Sequence, residues 1–469
     1  MLRGPRRGSK GGSALIALLG LAMVSVFLYL VMSKRLAPMV ALIVIPAMFA
    51  VIAGFAPDLG DMVTEGITSL APTAAMLMFA ILYFGIMIDA GLFDPVARVV
   101  VRLTGNDPLK LIMGTVALVA VVSLDGDGTT TFMITVSALL PIYRKLEVSP
   151  VLMTGLACMT NAILNVVPWG GPAARAASVL RLDPQEMFVP MIPALAAGLV
   201  TVFVIAYVLG LRERAKLRSR IAEPALAGVG AAGADLGTTG SAGTGDAPGS
   251  GGDFDVLAPD RDSLRPKLIW FNTALTVALL IALISGVLPI AVLFMIGTGI
   301  ALIVNYPSIK EQTARIASHA DSVVAVVSMV FAAAVFTGVL SGTGMIEEMA
   351  QYLLHGMPDA LFPYFSIVIA VLSIPFTFFM SNDAFYFGVV PILAETAAQH
   401  GISAMEVARA SLLGQPIHML SPLVPAMYVL IGLAKVDLGD QHRFAIKWAL
   451  LVSLVVIAAG LALGLIAVH

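Results

Sequence analysis

The sequence predicts an all-α polytopic membrane protein made of two inverted repeats, each with about five spans, a re-entrant hairpin and a broken helix. Three observations carry this fold class. The 469 residues are 59% hydrophobic and only 12% charged, with a mean hydropathy of +0.97, too few charges to give a soluble chain of this size a wettable surface. Apolar segments long enough to span a bilayer recur on both sides of one polar, Gly-rich stretch. Four of those segments are interrupted by Asp, Asn, Gln, His, Gly and Pro, and the interruptions form two matching pairs.

In chain order, Arg3, Arg6, Arg7 and Lys10 form a basic tail over residues 1–12, ahead of an apolar run at 13–32. A secretory leader would carry a small-residue cleavage site there; Lys34-Arg35 follows instead, so the run reads as a retained span. Further spans fall near 38–55, 71–90, 150–168 and 187–211. Residues 92–103, with Arg98 and Arg102, read as an interfacial amphipathic helix. Residues 108–143 carry two half-length apolar arms around Asp125-Gly126-Asp127-Gly128-Thr129-Thr130-Thr131, the pattern of a re-entrant hairpin, because irregular backbone survives at membrane depth only beside protein or a water-filled cavity. The first membrane repeat is therefore 13–211.

Residues 212–265 open with a basic run from Arg212 to Arg220 and continue through Gly, Ala, Ser and Asp, a composition that buries too little apolar area to order itself. They read as a flexible cytoplasmic linker. The second repeat, 266–469, has spans near 267–286, 288–305 and 319–340, a short helix at 344–355, a hairpin at 359–398, and further apolar segments at 403–434 and 442–468. Phe79-Ala80-Ile81-Leu82-Tyr83-Phe84-Gly85-Ile86 opens like Phe331-Ala332-Ala333-Ala334-Val335-Phe336-Thr337-Gly338, which supports a repeat. Counting crossings places Lys34-Arg35, Arg98, Arg102, Arg144-Lys145, the Arg212 run, Arg265, Lys267, Lys310, Arg315, Lys435, Arg443 and Lys447 on one face, cytoplasmic by the positive-inside rule. The two hairpins then enter from opposite sides, as inverted repeats require. The same count leaves the basic N-terminal tail outside.

The polar interruptions are the candidate site. The first tip supplies Asp125, Gly126, Asp127, Gly128, Thr129 and Thr130, and the second supplies Ser381, Asn382 and Asp383. The broken spans supply Asn161, Asn165, Gly170 and Gly171 before Arg175, and Gln415, His418 and Ser421. Proline removes backbone donors and glycine releases the helix, so carbonyls and half-helix ends become available at membrane depth. Helix N-termini suit substrate carboxylates, and freed carbonyls with Asp and Asn suit a cation or protons. Read alone, Asp125 and Asp127 also fit a solvated loop tip, His418 a satisfied core histidine, and Arg175 and Arg409 side chains that snorkel to the interface. A calcium loop is excluded, since the twelfth position from Asp125 is Val136 rather than Glu. An aspartyl-protease Gly-x-Gly-Asp is excluded by Leu124. The net charge of -2 gives no footprint for nucleic acid, and the single cysteine, Cys158, has no intramolecular disulfide partner. No soluble catalytic domain is evident, so the chain is read as a transporter rather than an enzyme.

Leu124-Asp125-Gly126-Asp127-Gly128-Thr129-Thr130-Thr131-Phe132, Pro168-Trp169-Gly170-Gly171-Pro172, Ser381-Asn382-Asp383-Ala384-Phe385-Tyr386-Phe387-Gly388 and Leu413-Gly414-Gln415-Pro416-Ile417-His418 resemble the signature stretches of the citrate-metal:proton symporters, the CitMHS family. The similarity runs from about Lys34 to Lys447. It implies membership of the wider ion transporter superfamily, with a scaffold domain that often dimerises, hence a homodimer in the inner membrane bilayer, and a transport domain that moves as an elevator. It also implies the substrate: citrate chelated to a divalent cation such as Mg²⁺ or Ca²⁺, taken up with protons, with no permanent cofactor and no dedicated metal site. The metal would arrive within the citrate complex near Asp127 and Asp383. Asp125, Asp127 and Asp383 are the expected proton carriers, because buried carboxylates suit proton uptake and release. The alternative is a transporter of the same superfamily for free citrate or a dicarboxylate, coupled to Na⁺ or H⁺.

Overall fold

The computed structural model describes residues 10–33, 35–227, 262–356 and 359–469, and every regular element among them is helical. The first half runs α1 (Lys10–Met32), α2 (Pro38–Ile52), α3 (Leu59–Asp89), α4 (Asp94–Thr104), α5 (Pro108–Val122), α6 (Gly128–Lys145), α7 (Pro150–Leu164), α8 (Gly171–Leu180), α9 (Pro184–Phe188) and α10 (Ile192–Ala227). Prolines open α2, α5, α7 and α9, where the missing N–H has no helical partner to lose. Asp107, Ser149 and Asp183 cap three of these starts by accepting from backbone N–H groups.

The second half runs α11 (Ile269–Ser285), α12 (Ile290–Asn305), α13 (Ile309–Ser318), α14 (Ala320–Gly342), α15 (Met345–Gly356), α16 (Phe365–Phe379), α17 (Val390–Ala398), α18 (Ala404–Leu413), α19 (Pro425–Ala434) and α20 (Leu438–Ala462). In both halves a long helix is followed by a short one, a hairpin, a helix broken in two and a long closing helix. Among the described residues, seven helices are long and apolar enough to cross a membrane. The protein is a multi-pass cell-membrane protein.

Three boundaries differ from the sequence expectation. Helix α3 begins at Leu59 rather than near 71, because Asp61, Thr64, Glu65 and Thr68 lie on an accessible face while Met62, Gly66 and Leu70 are buried. Helix α13 was not anticipated; its ten residues are too polar for a span, and Ser308 caps it by accepting from Glu311 N–H. The basic run after Leu211 is not linker: it continues α10 to Ala227, helped by strong helix formers and by the Arg214–Asp107 and Lys216–Glu213 pairs. Linker residues 228–261, and residues 1–9 of the basic tail, lie outside the described residues.

Helices α3 and α14 cross in close contact. A Cβ on Gly66 would lie 2.2 Å from the Ala334 carbonyl oxygen, and one on Gly338 would lie 2.4 Å from that of Met62. Only glycine lets the backbones approach so closely. Further along, a Cβ on Gly85 would lie 2.7 Å from the His319 ring. Numbers rise on one helix as they fall on the other, so the pair is antiparallel. Helix α12 packs on α3 and α2 packs on α14, a reciprocal exchange. Tyr83, Phe84, Phe294 and Trp169 form an aromatic cluster that joins α3 and α12 to the broken segment between α7 and α8.

Candidate functional site

The first hairpin turns through one 3₁₀ turn, Ser123–Asp125, and Gly126 at φ +79°. That left-handed conformation favours glycine, and a Cβ there would also lie 2.8 Å from Trp169 Cδ1. Asp127 caps α6: its Oδ2 accepts from Thr130 N–H at 2.8 Å, and its backbone oxygen accepts from Thr131 Oγ1. Asp125 is different. Its Oδ1 accepts from Asp127 N–H at 2.9 Å, while its Oδ2 is buried without a partner. The two aspartates therefore differ: Asp127 is exposed and caps α6, and Asp125 is buried with Oδ2 unpaired. Thr129 is half-buried beside them, with no side-chain hydrogen bond among the described residues.

The tip is fastened to the break between α7 and α8. Asn161 Nδ2 donates to Ser123 Oγ at 3.0 Å, and Trp169 Nε1 donates to the Leu124 carbonyl at 3.0 Å. The break closes on itself so tightly that a Cβ on Gly170 would lie 1.9 Å from the Asn165 carbonyl oxygen. Helix α8 starts at Gly171, and one turn on Arg175 donates from Nη1 to the Gly171 carbonyl and from Nε to Asp383 Oδ1 at 2.6 Å. The snorkelling alternative for Arg175 is thereby set aside.

The second tip leaves α16 at Phe379. Ser381 Oγ accepts from Ala384 N–H, and a π-helical turn, Ala384–Val389, leads into α17. Its neighbour is the break between α18 and α19, where a Cβ on Gly414 would lie 2.0 Å from Ser373 Oγ. Gln415 Nε2 donates to the Tyr386 hydroxyl at 2.7 Å, Ser421 Oγ donates to the Phe378 carbonyl at 2.7 Å, and His418 Nδ1 lies 2.7 Å from the Thr377 carbonyl. A carbonyl only accepts, so that last bond puts the proton of a neutral ring on Nδ1.

All four interruptions meet. Helix α6 packs on α19, and a Cβ on Gly128 would lie 2.6 Å from Met419 Cε and 3.2 Å from Asn161 Oδ1. The Arg175–Asp383 pair joins the first broken helix to the second tip. Arg409, by contrast, donates to the Met187 and Glu186 carbonyls and ties α18 to α9 instead of facing a carboxylate at the site. The sequence reading left Ser123, which opens the polar stretch, out of the site residues, and it left out Tyr386, which is masked by its aromatic neighbours.

Seven buried side-chain polar atoms lack a partner among the described residues, and five are oxygens of these interruptions: Asp125 Oδ2, Asn161 Oδ1, Asn165 Oδ1, Asn382 Oδ1 and Gln415 Oε1. Leaving a buried acceptor unsatisfied costs about 1–3 kcal/mol, so the tips and breaks concentrate oxygens able to accept from ligand hydroxyls, protons or cations. No three His, Cys, Asp or Glu side chains gather as a metal site among the described residues, so the acceptors are mostly neutral amides.

A multi-pass helical chain with broken, polar segments converging inside its apolar body has the architecture of a membrane transporter. The comparisons make this specific: the chain belongs to the CitMHS family, whose model, described as citrate transporter, matches residues 12–414. A protein of Bacillus subtilis (strain 168) named citrate transporter is 49% identical over 452 residues, 96% of this chain and 100% of the relative. A second protein of that strain, named Mg(2+)/citrate complex secondary transporter, is 46% identical over 456 residues, 97% of this chain and 100% of the relative. Among solved structures, the YdaH transporter of Alcanivorax borkumensis, described as having an unusual topology, matches with a TM-score of 0.53 at 14% identity over 97% of both chains. That likeness concerns the fold alone.

Proposed function

We propose that this protein is a secondary transporter that carries citrate complexed with a divalent cation, such as Mg²⁺ or Ca²⁺, together with protons. The observation that carries the reading is the set of five unpaired buried oxygens on the two tips and two broken helices. Oxygen acceptors at membrane depth suit cation and proton coupling, and a relative named for the Mg(2+)/citrate complex supports the cargo. A citrate trianion holding a divalent cation keeps one net negative charge. Partial charges at half-helix N-termini suffice to hold it, and the metal travels as cargo bound mainly by citrate oxygens near Asp127 and Asp383.

In this reading Asp125, Asp127 and Asp383 exchange protons, while Gly126, Gly128, Gly170 and Gly171 open backbone groups to the substrate. Thr129, Thr130, Ser381, Gln415, His418 and Ser421 supply hydroxyl, amide and imidazole contacts, with Asn161, Asn165, Asn382 and Arg175. In this reading the halves are inverted repeats, supported by the antiparallel packing of helices α3 and α14 through Gly66 and Gly338. The hairpins and broken helices move together as an elevator past that crossing, in a homodimer.

The test is uptake of labelled citrate into proteoliposomes holding the pure protein, with an inward proton gradient and Mg²⁺ or Ca²⁺. Uptake should require both the metal and the gradient and stop with EDTA. Uptake that persists with EDTA and requires Na⁺ would replace this reading with transport of the free anion.

A further inference from the structure

A cavity of about 410 Å³ runs from the α1–α2 connection to the second hairpin tip. Its polar lining is Arg35 and Ser381; Val31, Leu36, Pro38 and Leu423 make the apolar walls. A basic residue in this connection satisfies the positive-inside rule wherever its side chain goes. That rule does not explain why Arg35 shares a cavity lining with Ser381 of the second tip. Arg35 is exposed, lies over the Tyr29 ring at 5.7 Å, and has no carboxylate within ion-pair distance among the described residues. Its charge is therefore available to a ligand.

The far end is also prepared for an anion. Ser381 Oγ accepts from Ala384 N–H, which leaves its own hydroxyl hydrogen free to donate. The nearby charge of Asp383 is matched by Arg175 at 2.6 Å, so an anion at Ser381 does not meet an uncompensated carboxylate. Apolar side chains beside a guanidinium and a hydroxyl donor suit a small carboxylate-bearing ligand with carbon to set against them. Guanidinium geometry suits two-point binding of a carboxylate.

We propose that Arg35 and Ser381 form a carboxylate subsite, which receives a free carboxylate of the metal–citrate complex as it passes between the second tip and the α1–α2 side of the protein. This rests on the transporter reading above. Arg35 acts here as a binding residue, and its loss raises KM for metal–citrate more than it lowers kcat.

The experiment uses the full chain in proteoliposomes and a thiol placed in the cavity wall. Cys158 is the single native cysteine and is buried, so Ala37→Cys, at an exposed cavity-lining position, is labelled without background. The probe is a sulfonate-bearing methanethiosulfonate, followed with and without Mg²⁺ plus citrate. At about four times the apparent Kd, the complex should slow labelling of Ala37→Cys about fivefold. Adding Arg35→Gln should remove that protection, and Arg35→Lys should restore part of it. Protection that is equal with and without Arg35, or absent from an Ala37→Cys protein that still accumulates Mg²⁺-citrate, overturns the subsite. Absence of Mg²⁺-citrate uptake by the unmodified protein in the same vesicles overturns the transporter reading itself, and the subsite with it.

Discussion

Arg175 donates from Nε to Asp383 Oδ1 at 2.6 Å although 208 positions separate them, so a helix of the first half holds the hairpin tip of the second. The pair is partly shielded, with the side chains 28% and 14% exposed. Such a bond orients the tip and fixes the carboxylate next to Asn382, whose side-chain oxygen is unpaired. Asp383→Asn preserves shape and removes the charge. Solvent screening limits the stability loss to about 1–2 kcal/mol, a Tm shift of a few degrees. Citrate uptake in proteoliposomes should nevertheless be lost. Wild-type uptake by Asp383→Asn would remove this residue from the site.

Asp125 and Asp127 should separate by experiment. Asp125→Asn fills the position of the unpaired Oδ2 with an amide that cannot carry a proton to and fro, so proton-driven accumulation should vanish while the protein still folds. Asparagine is as good a helix cap as aspartate, so Asp127→Asn should also fold, and its expected loss of uptake would report the missing charge. Asp127→Ala should lose about 1 kcal/mol of stability in addition, through the lost cap on Thr130 N–H. Thermal melts and uptake on the three variants decide the assignment; Asp125→Asn with an intact response to the proton gradient would rule out Asp125 as carrier.

The placement of the four polar interruptions was legible because Asp, Asn, Gln, His and paired Gly and Pro stand out in apolar sequence. Their partners were not. The Asn161–Ser123 bond, the Trp169 bond to the Leu124 carbonyl and the Gln415–Tyr386 bond join positions 29 to 45 apart, and backbone carbonyls have no signature in the letters. Arg175 and Arg409 look alike in sequence, and only the packing of the helices sends one to Asp383 and the other to the Glu186 and Met187 carbonyls. Helix α3 was read short because its accessible polar face hides the apolar stripe at Met62, Gly66 and Leu70. The basic start of the linker was read as disordered from charge and from the Gly-rich residues beyond it, whereas Arg, Lys, Leu and Ala continued the helix.

The α3–α14 crossing gives a structural prediction independent of chemistry. Gly66→Ala or Gly338→Ala puts a methyl group within 2.2 or 2.4 Å of a carbonyl oxygen, which forces the helices apart. Overpacking of this kind costs about 1–3 kcal/mol. Each variant should melt several degrees lower in detergent. Gly299→Ala and Gly432→Ala, where a Cβ would meet nothing within 4 Å, should melt like the parent or slightly higher. Equal melting of all four would mean that the crossing is looser than described.

His418 offers the sharpest test of a side chain at the second break, because its two ring nitrogens have separate duties. Nδ1 is held by the Thr377 carbonyl, which anchors the 3₁₀ segment Gln415–Leu420 to the end of α16. Asparagine places an N–H donor near the position of Nδ1 and has nothing at Nε2, whereas alanine has neither. His418→Asn should therefore keep the fold and lose whatever Nε2 contributes to the cargo. The expected result is a Tm close to the parent with KM for Mg²⁺-citrate raised about tenfold, the equivalent of one lost hydrogen bond of about 1.4 kcal/mol. His418→Ala should add a stability loss of about 1–3 kcal/mol, since the Thr377 carbonyl is left buried and unsatisfied. If His418→Asn transports with the parent's KM, the histidine is a core anchor for the break and the substrate passes it by.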